Sequence, residues 1–223
     1  MAVKVVCNQP YYFPLLHWWE RALRGKMVIL DDVLRSPTNP PNRALVHDGR
    51  ADTYLTLPIP STHRMAPINR LPIAGPWVDS HANKLGAYYR KAEYGTEALA
   101  LFHSFAASAE KCEDVMAVVA ASITATAQYL ELDVPLHFSS QLALDGTKRS
   151  ARMILATQRL GGDTLVLGKG SLAYLGEDEP LYQAAGVRVE LQDWQCPVDN
   201  RSVLDAIARH GKDRVRRMVT HDE

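Results

Sequence analysis

Apolar positions open the chain in three stretches of different rhythm. Val3 to Cys7 is apolar except for Lys4, a run with the length of a buried strand. Leu15 to Arg24 carries Leu15, Leu16, Trp18, Trp19, Ala22 and Leu23 at helical spacing, and Gly25 closes it. Met27-Val28-Ile29-Leu30 is a second strand-length run, ending in Asp31-Asp32-Val33. The pattern predicts a strand, a proline-punctuated loop, a helix and a strand. The loop, Asn8 to Pro14, holds two prolines and three aromatic rings. Such a segment is costly unless it packs into one defined shape.

Residues 34–43 contain three prolines and read as loop. Ala44 to Val46 and Thr53 to Ile59 flank an Asp48-Gly49 turn signal and predict a β-hairpin. From Pro60 to Trp77 the chain is irregular and carries His63, Arg64 and Arg70. A polar loop of that length is usually functional or mobile. Helical spacing takes over near Ser80, with Glu97 to Lys111 and Glu113 to Leu130 as a helical pair.

Strand and helix then alternate. Val134 to Phe138 is strand-like, and Lys148 to Leu160 is a helix closed by Gly161-Gly162. Thr164 to Leu167 is a strand, followed by the turn Gly168-Lys169-Gly170-Ser171 and a short helix to Ala185. Val187 to Leu191 is the last strand. Ser202 caps a final helix with Asp205 in its first turn. The alternation predicts an α/β fold with a largely parallel sheet and flanking helices, a β-hairpin insertion and the helical pair in the middle. Residues 1–223 read as a single domain, with a helical lobe at 80–131.

Composition narrows the picture by exclusion. Of 223 residues, 47% are hydrophobic and 22% charged, so a sizeable core is within reach. Lys plus Arg and Asp plus Glu number 25 each, which removes any global argument for nucleic acid or an anionic membrane. A local basic patch comes nearest at Arg209, Lys212, Arg214, Arg216 and Arg217, and its bland alternative is a solvated helix face. Three cysteines at 7, 112 and 196 make neither a disulfide framework nor a zinc spacing. No metal site is expected from His and Cys spacing. No apolar run approaches a membrane span, so the expectation is a soluble cytoplasmic protein.

Candidate chemistry gathers at predicted strand ends, where open α/β sheets bind ligands. The Asn8 and Gln9 amides and the Asp31-Asp32 carboxylates would project there. Neighbouring strand residues face opposite ways, so both carboxylates share a site only if the strand has become loop. One could then orient a substrate amine or hold Mg²⁺ while the other caps the loop. Asn42-Arg43 offers an amide and a planar cation for carboxylate or phosphate, or else a structural ion pair. Lys148 and Arg152, four apart on a helix, suit an anionic group or form an exposed basic face. His17, among aromatic residues, is either a general base or ordinary packing. Tyr12 joins the substrate-binding candidates. Gly168-Lys169-Gly170 could admit phosphate but is a tight turn by default. Cys7 is expected to be a small apolar filler under the loop rather than a thiolate nucleophile.

Gln9-Pro10, the aromatic residues and Pro14, then a helix and an apolar strand ending in Asp-Asp-Val, together resemble the opening of the WbqC-like proteins. The resemblance continues through Asn42-Arg43, Leu55 to Ile59, Lys84, Tyr88 and Lys91-Ala92. It then covers Ser139-Ser140, Lys148, Arg152, the glycine turn, Tyr174, Gly186-Val187 and Ser202 to Asp205. Asn8 stands where that family often has histidine. The resemblance implies a bacterial enzyme working among those that modify surface polysaccharides or build natural products.

Three functions remain in view. The first is acyl or aminoacyl transfer to an amine of a sugar or natural-product intermediate, with Asp31, Asp32 and His17 in the catalytic roles. The second is a nucleotide-dependent transferase or ligase. The third is a non-catalytic accessory or binding protein. The expected partner is a small-molecule substrate, without nucleic acid or membrane, and a homodimer is allowed. The sequence names no cofactor.

Overall fold

The computed structural model describes residues 2–63, 65–144, 147 and 149–222, and of Ala173 and Tyr174 the backbone alone. Arg64 and Lys148, both singled out above, lie outside the described residues. In chain order the elements are β1 (Lys4–Asn8), α1 (Leu16–Ala22), β2 (Lys26–Ile29), β3 (Arg43–His47) and β4 (Asp52–Thr56). Next come α2 (Val78–Tyr89), α3 (Gly95–Ala109), α4 (Val115–Tyr129), β5 (Leu136–Phe138) and α5 (Arg149–Arg159). The series ends with β6 (Thr164–Leu167), α6 (Leu172–Ala184), β7 (Arg188–Leu191), α7 (Val203–His210) and α8 (Lys212–Thr220). The chain divides into two compact units, each assembled from three separate stretches.

The first unit comprises Met1–Gln9, His17–Asp31 and Val134–Gln195. Its sheet is parallel throughout, in the order β5-β2-β1-β6-β7. Successive strands of the unit step outward from β1 in one direction, then restart at β6 in the other. Order reverses between β1 and β6, and in doubly wound sheets that is the switch point where ligands sit. β1 and β6 are the buried middle, which explains why Val5-Val6-Cys7 and Leu165-Val166-Leu167 are unbroken apolar runs rather than alternating ones. Helices α5 and α6 lie against this sheet and close a core that includes Val5, Cys7, Val28, Met153, Leu165 and Tyr182.

The second unit comprises Pro10–Leu16, Asp32–Asp133 and Cys196–Glu223. Strands β3 and β4 form the antiparallel hairpin, with Arg43 opposite Thr56 and His47 opposite Asp52. Asp48 Oδ1 accepts the Arg50 and Ala51 backbone N–H groups (2.7 and 2.9 Å), and Gly49 takes φ +97°. Helix α3 packs against α2, α4 and α7. Ser202 does cap α7, its Oγ accepting from the Asp205 N–H at 3.3 Å. The final helix is two helices rather than one, because Gly211 (φ +76°, ψ 159°) separates α7 from α8. Only glycine occupies that region readily.

The prolines and aromatic rings of the opening loop are explained within this unit. Tyr12 and Phe13 are buried in a cluster with Trp77, His81, Phe102 and Phe105. Phe13 adopts φ +44°, an unusual conformation for so large a side chain. Its N–H bonds Ser122 Oγ (3.3 Å) and the Pro14 carbonyl accepts from Val203 N–H (2.9 Å), so surrounding contacts hold the turn. Among the described residues no helix is long and apolar enough to cross a membrane.

His81, unremarked in the sequence, sits at the centre of that cluster. The Thr56 carbonyl can only accept, so His81 Nε2 carries the proton and donates (3.2 Å), while Nδ1 accepts from the Tyr12 hydroxyl at 3.1 Å. Burial, with Lys84 adding to it, lowers the imidazole from 6.5 to about 4. The unfolded chain therefore takes up a proton near pH 6.5 that the folded chain refuses until about pH 4. Stability carried by neutral His81 is intact above pH 6.5 and is lost as pH falls toward 4, by about 3 kcal/mol. His81→Gln retains a donor and an acceptor without the titration. Urea midpoints should decline less steeply in the variant between pH 6.5 and 4.5, and equal slopes would refute the assignment.

Candidate functional site

Asn8 is the last residue of β1 and is 7% exposed. The register pairs Val5 with Leu165 and Val6 with Val166, which carries Asn8 to the level of Gly168 at the switch point. From α1, Arg21 reaches across. Its Nε and one terminal nitrogen donate to Asn8 Oδ1 (3.0 and 2.5 Å), and the other terminal nitrogen donates to Gln192 Oε1 (3.0 Å). Gly168 leaves room for this guanidinium, since a Cβ there would lie 2.2 Å from its Nη1. Gln192 Nε2 donates in turn to the His17 carbonyl (2.8 Å) and to the Glu20 carboxylate. Arg24 holds the other Glu20 oxygen at 2.6–2.7 Å and reaches Asp193 at 2.9 Å.

Every orientation in this chain is forced. Arginine has donors only, so Asn8 and Gln192 must both turn their oxygens toward Arg21. Gln192 then presents its amino group to Glu20, and Asn8 turns its own amino group away. That group, Asn8 Nδ2, is buried and among the described residues has no hydrogen-bond partner. A buried donor left unmade costs about 1–3 kcal/mol. The sheet thus ends, at its switch point, in an oriented and unspent amide donor.

Asp31 follows β2 and is 4% exposed. One carboxylate oxygen accepts from Ser139 Oγ (3.0 Å) and Ser140 N–H (3.0 Å), the other from Ser140 Oγ (2.6 Å). Its geometry is that of a clamp holding the turn after β5. This links two features the sequence offered separately, the acidic pair and Ser139-Ser140. The Gln9 carbonyl accepts from Trp18 Nε1 at 3.0 Å, and His17 is half-buried as the second residue of α1. Arg152 extends one guanidinium nitrogen to the Leu144 and Thr147 carbonyls, 3.4 Å each.

Cys7 belongs to the core of this unit. Burial pushes its thiol up to about 12, against a smaller lowering by Arg152. A thiol that protonated is a poor nucleophile at neutral pH. Iodoacetamide should therefore modify Cys7 far more slowly than the partly exposed Cys112 and Cys196, read by peptide mass mapping. Rapid labelling at Cys7 in the folded protein would contradict the filler assignment.

The remaining sequence candidates belong to the second unit. Tyr12 is wholly buried in the aromatic cluster. Asn42 is 2% exposed and exchanges bonds with Leu57, its Nδ2 donating to the Leu57 carbonyl (2.7 Å) and its own carbonyl accepting the Leu57 N–H (2.9 Å). Arg43 is exposed and stacks over the Tyr54 ring, 5.5 Å from its centroid. Asp32 is half-buried. Asn8, Gln9, His17, Asp31 and Arg152 thus share one unit, and Tyr12, Asp32, Asn42 and Arg43 the other. Among the described residues no group of three or more His, Cys, Asp or Glu could hold a metal ion.

The profile of the WbqC-like protein family matches residues 9–217. The chain belongs to the WbqC-like protein family. No curated protein and no solved structure matches it. Arg21, Gly168 and Gln192 all fall inside the span matched to the WbqC-like profile, and Asn8 precedes it by one residue. Sequence reasoning named Asn8 and passed over Glu20, Arg21 and Gln192. The available signal for Glu20 and Arg21 was polarity in the wrong place: with His17 they interrupt a helix whose other residues are apolar or aromatic.

Proposed function

We propose that this WbqC-like protein is a biosynthetic transferase that moves an acyl or aminoacyl group onto an amine of a sugar or natural-product intermediate. Membership of the family supports a biosynthetic, enzymatic role in general. The observation that carries the finer reading is the unspent Asn8 Nδ2 donor, held in orientation by Arg21 at the switch point. Acyl transfer to an amine builds negative charge on the carbonyl oxygen as nitrogen attacks the carbonyl carbon. A preorganised amide N–H aimed at that oxygen stabilises the tetrahedral intermediate. Collapse then expels the carrier of the acyl group, and the amine proton must go to a base, for which His17 is the candidate. The transfer is direct, because the Cys7 thiol is held protonated in the core. Since Asn8 Nδ2 is shielded from solvent, substrate must open the residues that cover it.

A second reading rests on the reversal of strand order beside the Gly168-Lys169-Gly170 turn, the location where doubly wound sheets bind nucleotides. Thermal shift separates the two. Wild type and Asn8→Asp are scanned with acyl-CoA thioesters, amino acids, ATP and nucleotide sugars. A ligand at a hundred times its Kd stabilises by ~2.7 kcal/mol. Stabilisation by an acyl donor in wild type, absent in the variant, supports acyl transfer. Stabilisation by ATP alone supports the nucleotide reading.

A further inference from the structure

A concave site lies wholly within the second unit, at the break between α7 and α8. Its volume is about 530 Å³, within the range of small-molecule sites. Gly211 shapes it, because a Cβ there would meet the Tyr94 ring at 2.9–3.0 Å. Tyr94 and Tyr129 supply the aromatic walls.

Most of the charges around this cavity have work within the fold. Glu97 accepts the Lys212 N–H at 2.8 Å and so caps α8. The Lys212 ammonium pairs with Glu131 at 2.6 Å and lies over the Tyr129 ring. Arg209 pairs with Asp205 at 2.9 Å. Arg214 and Arg217 are different. Both are exposed and line the cavity, and among the described residues neither has a carboxylate within ion-pair distance. Arg214 is the third residue of α8, where the positive end of the helix disfavours a cation. Facing the cavity as well are two exposed carboxylates, Asp213 and Glu93, the latter bonded to the Tyr94 hydroxyl.

A simple anion would gain from Arg214 and Arg217 but meet repulsion from Asp213 and Glu93. A simple cation would meet the reverse. A molecule carrying both charges satisfies both sets. We infer that this cavity binds a small zwitterion of the amino-acid class, its carboxylate taken by Arg214 and Arg217 and its ammonium by Glu93 and Asp213. Bidentate guanidinium–carboxylate pairing suits the first contact, and the two phenol rings suit an apolar or aromatic side chain. The inference does not depend on the acyl-transfer reading.

Calorimetric titration of the whole protein tests it with L-phenylalanine, phenethylamine, 3-phenylpropionate and inorganic phosphate. The amino acid should bind, and each of its halves at least ten-fold more weakly. Arg214→Glu with Arg217→Glu, both on the surface, should weaken L-phenylalanine at least ten-fold while leaving the melting temperature near wild type. Phosphate binding as tightly as the amino acid, equal affinity for either half, no binding of L-phenylalanine at millimolar concentration, or binding that survives the double charge reversal would each overturn the inference.

Discussion

Asn8→Asp is expected to lower turnover by about 10²–10³ while the protein remains folded. The substitution is nearly isosteric. It leaves an oxygen where Arg21 donates at 2.5–3.0 Å, and strengthens that contact by making it an ion pair. It removes one group only, the Nδ2 donor that has no partner among the described residues. A structural role for Asn8 predicts the opposite balance: activity kept, or activity and melting temperature lost together. Asn8→Ala is the harsher control, because it strips Arg21 of its acceptor and should cost stability as well. The deciding comparison is turnover against melting temperature for the two variants once the acyl donor is known from the ligand panel. Wild-type turnover in Asn8→Asp would remove Asn8 from the chemistry.

Asp205→Ala should be the most destabilising single change in the second unit, by about 3–5 kcal/mol. The carboxylate is 1% exposed. It accepts the His47 N–H at 3.0 Å, pairs with Arg209 at 2.9 Å and lies 3.7 Å from Arg201. It also lies beside the buried Tyr89 phenol, which is raised well above its ordinary range by burial first and by this carboxylate second. One side chain therefore ties the hairpin, α2 and α7 together. Removing it takes the carboxylate from Arg209 and the acceptor from the His47 N–H, while Arg201 keeps Asp52 and Asp199, and that loss is a large share of the 5–15 kcal/mol typical of a folded protein. A fall of about 10 °C or more in melting temperature is expected. Asp205→Asn keeps an acceptor for His47 and should fall less. A change within a degree or two for Asp205→Ala would mean that solvent satisfies the stranded groups.

Legibility in the sequence followed the range of the forces involved. Strand runs such as Thr164 to Leu167 and the Asp48-Gly49 turn are set by neighbours within a few residues, and both were readable. Ser202 as a cap was readable for the same reason. Arg21 was not, because its meaning depends on Gln192, 171 residues away. The sequence places Tyr12 among the substrate-binding candidates and Phe13 only in a loop that must pack into one shape. They are core anchors, since Trp77, His81 and Phe105 arrive from distant segments to bury them. Asp205 was read as a first-turn carboxylate favoured by the helix dipole, and its larger role appears only once Arg201, His47 and Tyr89 surround it. Ser202 at the edge of the final helix was visible where Gly211 within it was not, because a glycine among charged residues has no periodic signature.

The position of β1 has a consequence for how the protein is made. Lys4 pairs with Thr164, a partner translated about 160 residues later. At ~5–20 residues per second the ribosome needs ~8–30 s to supply it. β2 follows β1 after the single helix α1 and can dock early, but the other side of Val5-Val6-Cys7 stays bare through the synthesis of the hairpin and of α2 to α4. An exposed, unpaired and fully apolar edge invites pairing with other chains. The central strand of the finished sheet is thus, for most of translation, the nascent chain's sticky margin, and holdase chaperones would have their longest opportunity there.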